Sequence, residues 1–175
     1  MGYLASIVMV GVLITAWPAA ACTLKPHTVC PKADMRGIDV DGLDLSGADF
    51  REANFTVGDM TGVNLSGANL EGASLYDATL KHARLAEAKL GKANLRGAHL
   101  EGADLKGADL RGANLEMAEL DDANFSNADL RGADLSLVNL QNVKLDGARL
   151  DGAIRGPHEV CVTPSLGRCR MGDRQ

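Results

Sequence analysis

Aromatic side chains are scarce in this 175-residue chain, which has one Trp, two Tyr and three Phe. A globular core normally draws much of its burial from such rings. Leu and Ala must fill this interior instead, which favours a narrow and regular one. Cysteine is missing from the whole middle of the chain, with Cys22 and Cys30 near one end and Cys161 and Cys169 near the other. Positive charge is in deficit: the formal net charge is −5, which excludes a nucleic-acid binder held by phosphate contacts. Catalytic vocabulary is thin too. The four histidines (His27, His82, His99, His158) are scattered, no cysteine–histidine spacing matches a zinc site, and serines such as Ser46, Ser66 and Ser126 occupy ordinary positions of a repeat. No catalytic, cofactor-binding or metal-binding residue is read from the sequence.

The first segment lacks charge altogether. Met1 to Ala21 has no charged side chain, Leu4 to Trp17 is nearly all apolar, and Ala19-Ala20-Ala21 offers small residues at both positions a signal peptidase reads. Residues 1–21 are therefore expected to be a cleaved export signal, since about 18 apolar residues is the low end for a membrane span. Export, to the periplasm or the exterior, would put an even number of cysteines where disulfides form. Cys22 directly follows the three alanines, so a lipid-anchored envelope protein acylated on Cys22 is the alternative, and the only route to a membrane. Ala19 stands where such signals usually carry a larger aliphatic residue, and lipidation would leave three cysteines.

What is present is a five-residue repeat. Its centres run from Met35 in steps of five to Leu150, making 24 units without insertion; 18 centres are Leu and the rest Met, Val or Phe. Two residues before each centre stands a small apolar residue, Ala in 18 units, and the residue between is usually Asp or Asn, as in Ala68-Asn69-Leu70. Arg84, Lys89, Lys144 and Arg149 replace that Asp or Asn. An α-helix is excluded, because residues five apart are rotated by about 140° and would leave no apolar stripe. In extended backbone, Ala and Leu two apart share the inward face. The chain must then turn, and the frequent Gly at the last position tolerates a positive φ.

These units resemble the pentapeptide-repeat family, motif A(D/N)LXX, over Ala33 to Gly152. The resemblance implies an all-β fold, a right-handed quadrilateral parallel β-helix with four units per 20-residue coil. It would have about six coils, roughly 29 Å long at a strand spacing of about 4.8 Å. Residues 22–32 and 153–175 would then be an N-terminal cap and a C-terminal cap with tail, covering ends that a solenoid cannot leave bare. Cys30 keeps phase with the centres and is expected to point inward. Given such a rod, Cys22–Cys30 and Cys161–Cys169 is the pairing that does not span its length, because bridged Cα atoms lie within about 7 Å. Each bridge would stabilise its cap by roughly 2–3 kcal/mol.

With no insertions, every twentieth residue falls in one column of one face. The face centred on Val40, Met60, Leu80, Leu100, Leu120 and Leu140 carries Asp39, Asp41, Asp59, Glu101, Glu119, Asp121 and Asp122 against Lys81, a net −6. The faces of Met35, Leu45 and Phe50 carry −2, −1 and 0. Like charges stacked across strands, Asp39 over Asp59 and Glu101 over Asp121, destabilise a sheet and point to a docking surface for a basic protein partner or for loosely held divalent cations. On the Phe50 face, by contrast, Lys89 beside Asp109, Asp129 beside Arg149 and Arg131 beside Asp151 interleave both signs. Met117 and Leu137 should be exposed neighbours, an apolar contact point. The expected function is a non-enzymatic exported scaffold or interaction module. The family also includes inhibitors that resemble DNA and bind gyrase, which the acidic face suits and export from the cytoplasm opposes.

Overall fold

The computed structural model describes residues 22–156, 159–161 and 171–173. The export signal expected in residues 1–21 and the cysteine Cys169 lie outside the described residues. The rest is a stack of square coils. Parallel bridges join each outward residue to the one twenty positions later, from Val29↔Asp49 to Asp134↔Ile154. Four five-residue units therefore make one turn, and the first rung lies before Ala33.

The hydrogen-bond ladder explains why a five-residue unit can close this way. Each centre donates its N–H to a carbonyl in the next coil, as from Leu80 to His99 at 2.7 Å, and the outward residue donates back to the previous coil, as from Thr79 to Gly58 at 2.9 Å. The turn is closed inside the unit, where the N–H of Ala83 meets the carbonyl of Leu80 at 3.0 Å. Side chains at the centre and small positions converge on the axis, and those from Leu45 to Leu115 are buried. Two of the three phenylalanines meet edge to face there, Phe50 and Phe55, with ring centroids 5.1 Å apart.

The last position of each unit takes a left-handed φ whether or not it is Gly, with Asn142 the exception between residues 37 and 152. Thirteen glycines do so, but so do twelve other residues, among them the β-branched Val57 at 53°. Coils compensate one another here: the His82 ring covers Gly102 of the next coil so closely that a Cβ there would lie 2.5 Å from Nδ1. The same relation recurs where Asp77 faces Gly97 and Asn127 faces Gly147.

One rung of the series is missing. Residue 119 has no bridge to 139, and the ladder bonds from Leu120 and Asp122 to the last coil are not formed. Leu140, Val143 and Leu145, in the same last coil, are only half-buried.

Both ends carry cysteine. Cys22 and Cys30 form a disulfide with Cα atoms 6.1 Å apart, and Cys30 points inward as its phase implies. Beyond Gly152 the chain changes sheet type. Strands β1 (Ile154–Gly156), β2 (Glu159–Cys161) and β3 (Met171–Asp173) pair antiparallel in that order, an arrangement the repeat register did not reveal. Ile154 is still the final rung of the solenoid, so this sheet grows directly from it. Cys161 is buried and its N–H reaches the carbonyl of Ala153 at 2.8 Å. No helix among the described residues is long and apolar enough to cross a membrane.

Candidate interaction face

The acidic face is built mainly by two columns, with Asp122 in a third at the corner. One runs Asp39, Asp59, Thr79, His99, Glu119 through consecutive bridges; the other, two residues later in each unit, runs Asp41, Thr61, Lys81, Glu101, Asp121. The structure places all seven predicted carboxylates on this side. Asp39, Asp41, Asp59, Glu119, Asp121 and Asp122 are exposed, whereas Glu101 is half-buried.

Charge is not spread evenly along the columns. In the middle, Lys81 Nζ lies 2.6 Å from Glu101, and His99 Nδ1 lies 3.0 Å from Glu119. Burial acts to raise the Glu101 carboxyl, yet the hydrogen bond and charge of Lys81 outweigh it and hold the group below the ordinary glutamate range. At the first end, Asp39 and Asp59 stack as expected, and Asp59 is held low by hydrogen bonds from the hydroxyl and N–H of Thr61. Asp121 and Asp122 make the other end. The face is therefore two acidic poles about a centre partly neutralised by Lys81.

The Phe50 face handles charge differently. Its main pairs form inside single units: Arg51 with Asp49, Arg111 with Asp109 and Arg131 with Asp129, at 2.6–2.7 Å. The expected cross-coil contact of Arg149 with Asp129 is present but longer, at 3.7 Å. Side-chain hydrogen bonds from Arg111 and Arg131 are the main cause holding Asp109 and Asp129 below the usual carboxylate range.

Exposed apolar side chains cluster beside the acidic face. Met117 is 48% and Leu137 72% exposed, and both occupy the corner at which the chain turns from the Met35 face onto the acidic one. Val57 stands in the same corner column, with Tyr76 one residue before it in the intervening coil. The sequence reading found Met117 and Leu137 but missed Val57 and Tyr76, which are separated from that pair by Gly97. His99 falls on this face by its register, but a tally of charges does not pair it with Glu119, twenty residues later. His99 and Glu119 both stand where the repeat usually has Asp or Asn.

Comparison with known proteins agrees with this architecture. The family description "Pentapeptide repeats" matches in eight copies, over residues 32–67, 58–97, 78–116 and 118–154. Among solved structures, the pentapeptide repeat protein Rfr23 from the cyanobacterium Cyanothece 51142 is 33% identical, over 73% of this chain and 90% of its own, with a TM-score of 0.54. A pentapeptide repeat protein of the Arabidopsis thaliana thylakoid lumen is 31% identical, over 63% of this chain and 70% of its own, at a TM-score of 0.37. QnrB1, a plasmid-mediated fluoroquinolone resistance protein, is 19% identical over 73% and 70% respectively, at a TM-score of 0.49. No curated protein matches the chain.

Proposed function

This chain belongs to the pentapeptide-repeat family, and we propose that it is a non-enzymatic, exported interaction module that docks a basic protein on the face centred on Val40 to Leu140. Family members are generally structural or interaction modules. The observation that carries the proposal is the adjacency of two acidic poles to an exposed apolar corner, Met117 and Leu137. Carboxylates steer a basic partner and fix its register, while apolar corner residues bury area on contact. A partner with lysines or arginines on one side of an apolar ridge complements both.

In this reading the 24 units make about six coils, with residues 22–32 and the three-stranded sheet acting as disulfide-closed caps over the apolar ends. The Cys22–Cys30 bridge supports a soluble exported form over a lipoprotein, because it consumes the sulfur that a lipid thioether needs. Intact mass of the natural mature protein checks this: cleavage before Cys22 and an unlipidated, oxidised chain are expected, and a lipid on Cys22 would replace the soluble reading.

The docking proposal is tested with a lysine–leucine amphipathic peptide, titrated at two salt concentrations. Neutralising Asp39, Asp41, Asp59, Asp121 and Asp122 to Asn should weaken binding about tenfold or more and flatten its salt dependence. A control that removes as many carboxylates from the other faces should change affinity far less. Equal loss in both variants would reduce the face to diffuse charge. A gyrase supercoiling assay examines the competing reading implied by the family, and inhibition at micromolar protein would favour a DNA mimic instead.

A further inference from the structure

Halfway along the acidic face, three potential ligand atoms from His99, Glu101 and Glu119 lie within 4.8 Å of one another. Two of these side chains are stacked by the ladder, since His99 and Glu119 are bridged and the N–H groups of Leu80 and Leu100 bind their carbonyls at 2.7 and 2.8 Å. The backbone therefore holds the imidazole and one carboxylate in register whether or not anything is bound. Glu101 comes from the turn of the same unit as His99. Its Oε2 is shielded from solvent and accepts no hydrogen bond, while Lys81 serves Oε1 alone. A shielded carboxylate oxygen without a donor is costly, and here it lies in a group whose other members are a second carboxylate and an imidazole nitrogen.

We propose that His99, Glu101 and Glu119 form a binding site for a zinc-class transition-metal ion, with remaining coordination supplied by water. The donor set argues for that class: calcium and magnesium take oxygen ligands almost exclusively, whereas one imidazole nitrogen with two carboxylates suits zinc. A bound cation would satisfy Glu101 Oε2. Lys81 opposes it, being a positive charge already bonded to one ligand. The site does not depend on the docking proposal, and its test requires no partner.

The experiment is calorimetric titration of Zn2+ into the full oxidised mature protein. One ion per chain is expected, with His99→Gln and Glu119→Gln each weakening affinity by at least about tenfold. Lys81→Gln should strengthen it, a change that generic loss of fold would not produce. His82→Gln, on the same face but in another column, should leave it unchanged. Ring resonances of His99 should shift on adding Zn2+ while those of His82 stay in place. The proposal is overturned by the absence of saturable Zn2+ binding, by equal affinity in His99→Gln, or by Ca2+ competing as well as Zn2+, which would mean diffuse attraction to the acidic face.

Discussion

The faces centred on Val40 and on Phe50 share one backbone geometry and one apolar core, yet they treat charge in opposite ways. On the Phe50 face an Arg follows Asp by two residues, in Asp49-Phe50-Arg51, Asp109-Leu110-Arg111 and Asp129-Leu130-Arg131, and each pair closes within its own unit. On the Val40 face the same place holds Asp41, Thr61, Lys81, Glu101, Asp121 or Gln141. Neutralisation there requires a neighbouring coil, and it occurs at Lys81–Glu101, while His99 gives Glu119 a hydrogen-bond partner. One residue choice per unit thus decides whether a solenoid face is self-neutralised or left with charge that an external cation can meet.

The comparison can be broken most decisively in the core, where the two faces should not differ. Leu100 lies behind the acidic face and Leu110 behind the Phe50 face, both buried. Replacing either by Ala should cost about 2–5 kcal/mol in denaturant unfolding. A large difference between them would mean that surface charge, not packing, governs the stability of the coil. Leu145→Ala, in the half-buried last coil, should cost clearly less than either.

A smaller effect separates the corners. Gly102 has a φ of 66° and lies under His82, whereas Gly132 has a φ of 68° and open space around its Cβ direction. Gly132→Ala should cost roughly 1 kcal/mol for the left-handed backbone alone. Gly102→Ala should cost more, and the excess should vanish when His82 is also truncated to Ala. Equal costs would remove the compensation between coils.

The smallest effects sharpen the contrast in charge. Asp129 is held below its ordinary pKa chiefly by the hydrogen bond from Arg131. Its stabilisation is therefore complete above the unfolded value, about 3.9, and is lost as pH falls through the lower folded value. Asp129→Asn should lower stability by up to about 1 kcal/mol at pH 7, and the difference from the parent should close in strong acid. Asp39→Asn, which relieves stacking on Asp59, should be neutral or slightly stabilising at low salt, with any gain disappearing at high salt. Thermal unfolding across pH and salt checks both.

How far this was legible in the sequence follows from which interactions obey the five-residue period. The inward Leu and Ala, the twenty-residue columns, the inward Cys30 and the exposure of Met117 and Leu137 all follow from alternation plus period, so they could be read directly. The C-terminal antiparallel sheet could not, because Arg155 and Gly156 leave the repeat and no local pattern replaces it. The missing rung at 119–139 leaves no mark in the repeat, whose register runs on through Asn139 and Leu140. The pairing of charges was half legible. Columns could be drawn, but Arg111 turning back to Asp109 within its unit, in place of a contact between coils, is a choice of rotamer that spacing leaves open.

The account rests on each outward residue lying in register with the one twenty positions away in the next coil. Cysteine pairs test this directly: Asn94→Cys with Asn114→Cys replaces one observed rung, and Asn94→Cys with Glu119→Cys is the same design offset by one unit. Strand neighbours are about 4.8 Å apart and disulfides need Cα atoms within about 7 Å, so mild oxidation followed by peptide mass mapping should find the 94–114 bridge and not the 94–119 bridge. Ready formation of the second bridge, or failure of the first, would contradict the square coil and every face assigned from it.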